Sequence, residues 1–330
     1  IVALTPDDVA RLAGLARIDL TEEEKEDCRI ELIQADLRDP VAVERLFADR
    51  PEHDRIYAVI LIGALKAVGE SSEIPIDYYN VNVGGLLHLL SAMDKYDARR
   101  LVYSSSATVY GAPETIPIPE TTPMDPHSPY GRSKQICEMI IRDVCAANPK
   151  WRAITLRYFN PAGAHPSGRM GEDPRGKPGN LLPLLAQMAV GKYREPGLKV
   201  FGNDYPTPDG TCVRDYIHIL DLAEGHLNAM VALDNDATFD HAEAGHGKCR
   251  AFNLGKGVGM SVLNMIEAMR KVTGYEFPYD IVERRPGDVP DLTANPALAE
   301  RELGFKATRS LDDMCRDLWN WQKNNPNGYD

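Results

Sequence analysis

Between residues 29 and 157, short apolar runs alternate with helical stretches, and this alternation restricts the fold more than any other feature of the chain. Residues 30–35 are strand-like and 41–50 helical. Residues 57–62 form a short apolar run of the kind found in a strand buried on both faces. The pattern continues with a helix over 83–93, a strand over 100–104, a helix over 133–147 and a strand over 151–157. Such alternation implies βαβ units and an α/β, doubly wound parallel sheet. Right-handed crossovers then put a site at the carboxyl ends of the strands. After Asn160 the texture becomes rich in Gly and Pro, with a helix over 182–190 and a polar, aperiodic stretch at 235–248 that reads as a surface insertion. Near the start, Thr5-Pro6-Asp7-Asp8 and Thr21 to Glu24 each look like a capped helix start, so 1–28 reads as two short helices without a strand. The chain opens on Ile1 rather than Met, which reads as a fragment or a processed product. At 330 residues the chain exceeds one typical domain. The expected division is a helical segment (1–28), a sheet domain (29–160) and a smaller α/β lobe (161–330) with segments returning to the first domain.

An apolar fraction of 43% and a charged fraction of 26% place the chain among soluble globular proteins. A net charge of −12 argues against nucleic acid or an anionic membrane as main partner. No apolar stretch approaches the ~20 residues of a membrane span, and no leader pattern opens the chain. Six cysteines (28, 137, 145, 212, 249 and 315) stand far apart without a CxxC pair, as free thiols of a reducing compartment do, so the cytoplasm is expected. The spacing of His226, His241 and His246 matches no ligand motif, and no metal is expected.

Tyr130 and Lys134 stand four apart at the start of an expected helix, so both side chains leave one face. An ammonium beside a phenol stabilises the phenolate and draws its pKa down from about 10. Tyr130 is therefore a candidate general base. Upstream, SSSATVYG (104–111) follows a strand, and serines at the mouth of a parallel sheet can hydrogen-bond a substrate hydroxyl. Taken singly, such a pair is usually only helix surface, and such serines are usually turn residues.

Together they say more. A strand with SSSATVYG, then SPYGRSK (128–134), then LRYFNPAGAHPSG (156–168) after the next strand resembles the extended short-chain dehydrogenase/reductases. KAVGES (66–71), GEDPRGKPGNLLP (171–183), FGNDYPTPDGTCVRDYIH (201–218), RRPGDV (284–289) and WNWQKNNPNGY (319–329) narrow the resemblance to the UDP-glucose 4-epimerase family. It covers nearly everything from residue 30 onward.

The resemblance implies a Rossmann-like sheet domain that binds NAD, a lobe that binds a UDP-hexose, and a homodimer formed through helices of the cofactor domain. Tyr130 would take the proton of the sugar 4-hydroxyl while hydride leaves C4. Lys134 would hold the cofactor ribose and keep Tyr130 ionised, and Ser106 would hydrogen-bond the reacting oxygen. The remaining cofactor contacts implied are Asp36 and Leu37 near the adenine, Ile62, Gly63, Ala64, Leu65 and Lys66 near the pyrophosphate, and Phe159. Asn160, Asn180, Leu181, Phe201, Arg214, Tyr216, Arg285 and Asp288 match positions that hold UDP, and the two arginines can clamp a diphosphate bidentately. Gly179 stands where many members carry a second Asn. Leu292 stands where bacterial members carry a bulky Tyr, leaving room for an N-acetyl group. A related 4,6-dehydratase needs an acid pair just after the catalytic hydroxyl, and here Ala107 and Thr108 follow Ser106.

The start departs from the pattern. A member should open with a strand, a Gly-rich turn, a helix and a second strand, whose backbone N–H groups hold the pyrophosphate. Only Gly14 precedes Gly63, so the first strand, turn and second strand are expected to be missing. Losing three charge-assisted hydrogen bonds would cost roughly 5–9 kcal/mol. LTPDDVARLAGLARIDLTEEEKE (4–26) instead resembles the opening of the small subunit of the bacterial-type glutamyl-tRNA amidotransferase. Two functions thus stand side by side: an NAD-dependent epimerase, and a catalytically silent UDP-sugar-binding or interaction protein. A third, an amidotransferase-associated protein, rests on residues 4–26 alone.

Overall fold

The computed structural model describes residues 2–3, 31–48, 50, 55–174, 176–285 and 287–329. Two short strands, β1 (Val2–Ala3) and β2 (Glu31–Leu32), pair antiparallel. Helix α1 (Pro40–Arg45) starts where Asp39 accepts the N–H groups of Val41 and Ala42 and where proline suits the first turn. β3 (Val59–Leu61) leads into a helical run of α2 (Val68–Glu73), α3 (Pro75–Tyr78), a π turn (Tyr79–Gly84) and α4 (Gly85–Lys95). β4 (Arg100–Ser106), α5 (Pro129–Ala147) and β5 (Arg152–Tyr158) follow, then β6 (Asn160–Ala162), α6 (Leu181–Ala189), β7 (Leu198–Phe201) and β8 (Val213–His218). The chain continues through α7 (Ile219–Ala232), β9 (Cys249–Leu254), β10 (Gly259–Ser261) and α8 (Val262–Thr273). It ends with β11 (Tyr279–Val282), β12 (Asp291–Leu292), α9 (Ala297–Leu303) and α10 (Leu311–Asn324).

The main sheet is parallel, in the order β3-β4-β5-β9. Successive residues of β4 face opposite sides, and both sides are covered: Leu101 and Tyr103 pack with α4 and α5, Val102 with α7 and Phe252. Accordingly Leu101, Val102 and Tyr103 of β4 and Ala153, Ile154 and Leu156 of β5 are all buried. Each fully buried Leu, Ile or Val contributes about 1.5–3 kcal/mol. A second group of strands centres on β8, flanked by β10 and β12 and joined by β6. β7 and β11 form a separate parallel pair. Around them, α6, α8 and α10 bury Leu185, Met265, Met269, Met314 and Trp321.

Several expectations change. The segment 1–28 contains a strand, β1, where none was expected; the two expected helices lie outside the described residues, as do the stretch expected to lack the first strand and Gly-rich turn, and Cys28. α5 begins at Pro129 rather than 133, because Ser128 caps it. The helix expected from 83 runs back through the π turn to Pro75. The polar stretch 235–248 is anchored by a 3-10 turn (Asp236–Phe239) that buries Phe239, with Asp236 paired to Arg152 and Lys248.

Candidate active site

Three side chains meet at the carboxyl end of β4. Ser106 ends the strand, and its Oγ accepts from the Thr108 N–H (3.2 Å) and hydroxyl (3.0 Å), capping the following turn. Tyr130 occupies the first turn of α5, placed there by Ser128 capping at the Gly131 N–H (3.1 Å). Lys134 follows one turn later and donates to the Ser104 carbonyl at 2.7 Å. Tyr130 is 9% exposed and Lys134 3%.

Burial dominates their electrostatics. Desolvation pushes the Lys134 ammonium down to about 8. It pushes the Tyr130 phenol up, against a hydrogen bond from Ser106 that pulls the other way. The expectation that Lys134 draws the phenol down is therefore corrected. The ammonium is held by Ser104, 4.9 Å from the Tyr103 ring centre and 6.0 Å from that of Tyr130. Ionising Tyr130 calls for further positive charge beside it.

Buried groups fix this trio from behind. Arg157 forks onto Glu138 (3.0 and 2.8 Å), and Ser105 donates to the same carboxylate at 2.5 Å, tying β4 and β5 to α5. His226 Nδ1 faces the Leu222 carbonyl at 2.8 Å and so carries the proton. Its Nε2 then accepts from the Tyr158 hydroxyl, which accepts from Ser104 Oγ at 2.5 Å. His226 is thus a satisfied core histidine.

On the cofactor side, Ile62 and Gly63 are exposed at the end of β3, and Ala64 and Leu65 are half-buried. Asn82, buried in the π turn, accepts from the Leu65 N–H (2.9 Å) and donates to its carbonyl (3.0 Å), which fixes this loop. Leu37 packs so close to Gly85 that a Cβ there would stand 2.8 Å from Leu37 Cβ. Asp36 is exposed and gripped by Arg38, which holds its carboxyl down at about 2. Lys66 pairs with Glu172 at 3.3 Å. These residues suit a nicotinamide dinucleotide. Lys134 spends one of its three donors on Ser104, and an added Cβ at Gly63 would meet only Leu37, at 3.7 Å.

On the substrate side, Arg214 and Tyr216 project from one face of β8, two residues apart. Between them Asp215 is buried and accepts the N–H groups of Lys256 (2.7 Å), Gly257 (2.8 Å) and Ala294 (3.1 Å), while desolvation lifts its pKa to about 6. Arg214 donates to the Val213 and Val289 carbonyls (2.8 Å each) and reaches Asp288 at 3.5 Å. The Arg285 guanidinium lies 4.3 Å from the Phe201 ring centre. Asn160 pairs with Tyr216, and Leu292 with Arg214. Leu292 packs with Phe159, Ala107 and Tyr110, which joins this group to the trio. Leu181 packs against the cluster containing Tyr216. Asn180 heads α6, exposed, without spending its side chain on the helix.

Sequence reasoning missed Asn82, Asp215, the Ser104–Tyr158–His226 chain and, beside Arg285, the residues Asp204, Tyr205 and Arg284. An Asn in the stretch YYNVNVGG (78–85), which also holds Asn80, and an Asp inside a strand were the available signals for the first two.

The model of the family described as GDP-mannose 4,6 dehydratase matches residues 7–318. A UDP-glucose 4-epimerase of Bacillus subtilis is 52% identical over 296 residues, covering 90% of this chain and 83% of that protein. One from Homo sapiens is 49% identical over 301 residues, covering 91% and 82%. The crystal structure of a UDP-glucose 4-epimerase from Bifidobacterium longum, in complex with NAD+ and UDP, superposes with a TM-score of 0.84 at 42% identity, covering 99% of this chain and 90% of that one. The likeness of residues 4–26 to an amidotransferase is not borne out, since the family match already begins at residue 7. Identity near one half across nine-tenths of the chain, on the fold and the site just described, leaves one conclusion: the chain belongs to the UDP-glucose 4-epimerase family.

Proposed function

We propose that this protein interconverts UDP-glucose and UDP-galactose by inverting the sugar at C4, with NAD as a resident hydride carrier. The observation that carries the reading is the junction between the Ser106–Tyr130–Lys134 trio and the Arg214–Asp288 group, made through Leu292 and through Phe159–Asn160. The relatives' names and the NAD+ and UDP held by the B. longum protein support it.

NAD, when bound, supplies an acceptor for the C4 hydride and a positively charged ring. Tyr130 Oη takes the proton of the 4-hydroxyl and later returns it. Ser106 Oγ hydrogen-bonds the same oxygen. Lys134 offers its two remaining N–H donors to ribose hydroxyls. Ile62 to Lys66 flank the pyrophosphate, Asp36 and Leu37 the adenosine end, and Phe159 walls the ring pocket. Phe201 offers a stacking face to uracil, and Arg214 and Arg285 clamp the diphosphate among Asn160, Asn180, Leu181, Tyr216 and Asp288. Dehydration would need an acid beside Ser106, where Ala107 and Thr108 stand. The silent alternative finds no support in the comparisons.

Leu292 is smaller than Tyr, so UDP-N-acetylhexosamines fit as further substrates. Exposed apolar residues on the helices beside the sheet, Leu87 of α4 and Met139 of α5, support a homodimer through these helices. No helix among the described residues is long and apolar enough to cross a membrane. The five described cysteines are free and buried, in keeping with a cytoplasmic enzyme.

The test is conversion of UDP-galactose to UDP-glucose by the purified protein, with NAD measured after denaturation. Tyr130→Phe should lower kcat by about 10²–10⁴. Unchanged turnover would defeat the assigned base.

A further inference from the structure

RRPGDV contains two consecutive arginines, and each lies over a different ring. Arg285 covers Phe201 at 4.3 Å, and Arg284 covers Tyr205 at 4.2 Å. Arg284 also forks onto Asp204, from Nε to the carboxylate at 2.7 Å and from a terminal nitrogen to the backbone carbonyl at 2.6 Å. The two loops are held side by side by the β7–β11 pairing, in which Phe201 stands opposite Val282, and by a Gly202 N–H bond to the Val282 carbonyl at 2.8 Å. A further bond, from the Asp288 N–H to the Arg285 carbonyl (3.2 Å), closes the turn that carries Arg285.

Gly202 shows how tightly the first stack is seated. Its φ is +78°, and a Cβ there would stand 2.6 Å from the Tyr205 ring and 2.8 Å from Arg284 Cγ. Tyr205 itself is buried. An exposed ion pair alone contributes little. Here one guanidinium makes an ion pair, a carbonyl bond and a ring stack at once, which a lysine cannot reproduce. A residue fixed on one side fixes the direction of the next.

We propose that Arg284, seated on Tyr205 and Asp204, is a positioning residue that sets Arg285 over Phe201 and so shapes the pocket for the diphosphate and base of the substrate. The inference rests on the UDP-sugar reading given above. It assigns Arg284 no contact with substrate; it acts through its neighbour.

Calorimetric titration of the NAD-loaded protein with UDP, alongside steady-state kinetics, tests it. Arg284→Lys keeps the charge but loses fork and stack, so general attraction to the phosphates is controlled. Its Kd for UDP and its KM should rise roughly three- to tenfold, with kcat within about twofold of the parent. Gly202→Ala, which displaces the same stack, should move both in the same direction. An Arg284→Lys protein that binds UDP as the parent does overturns the proposal, as does a loss confined to kcat. Arg285→Gln separates the two levels. If it weakens UDP binding while Arg284→Lys does not, only the positioning role fails. If neither changes UDP binding, the nucleotide assignment fails with it.

Discussion

Tyr130 lies almost wholly buried with its phenol raised by desolvation, while Lys134, pressed down to about 8, is anchored on the Ser104 carbonyl. In the proposed reaction, the proton-accepting form of Tyr130 would be favoured by positive charge bound beside it. Leu292 offers a second experiment on a single side chain. Leu292→Tyr should abolish turnover of UDP-N-acetylglucosamine while leaving UDP-glucose turnover within about threefold, since a bulkier group rejects only the larger substrate; comparing the two rates checks it, and equal loss on both would remove the steric reading. That Ser106, Tyr130 and Lys134 come together was legible because a four-residue spacing on a helix and a strand-end serine specify a shared direction. Arg284 was not, because two adjacent arginines look alike until the structure shows which ring each one covers.

The Arg157–Glu138 pair works between elements, joining β5 to α5, with Ser105 adding β4. Both charges are buried; removing Arg157 leaves Glu138 only the half-buried Arg142, at 3.2 Å, and the Ser105 hydroxyl. Arg157→Met should cost about 3–5 kcal/mol in a urea unfolding titration, more than an ordinary surface change. A loss below about 1 kcal/mol would mean that Arg142 suffices to hold the carboxylate. At this scale the sheet was legible in the sequence through the alternation of strand-like and helical stretches, with the apolar run at 57–62 the plainest strand signal. Helix starts were less so: α5 begins at a Ser-Pro cap four residues before the apolar pattern, and the helix before α4 is carried through a π turn by Asn82, which bonds across to the loop after β3. β1 and β12, two residues each, are too short to show any period.

For the whole molecule, His218 and His226 make stability depend on pH below neutrality. Both are buried, and desolvation lowers their pKa values below the usual 6.5. Between that value and the lowered one, the unfolded chain takes up protons that the folded chain refuses, so stability falls as pH drops below about 6.5 and levels off beneath the folded values. The histidine contribution declines from pH 7 to pH 5, while Asp215, raised to about 6, acts the opposite way. The test is therefore the difference between parent and His226→Gln: the parent should lose more melting temperature over this interval than the variant. Equal pH slopes in parent and variant would contradict the assignment. Phe159 directly follows β5 and Asn160 opens β6, the strand beside β8, so the residues proposed to wall the ring pocket and to edge the nucleotide groove are consecutive. In the proposed reaction, a flat keto carbon that shows first one side and then the other to the ring would pivot on its own phosphate tether, like a door swinging between two posts set on one sill.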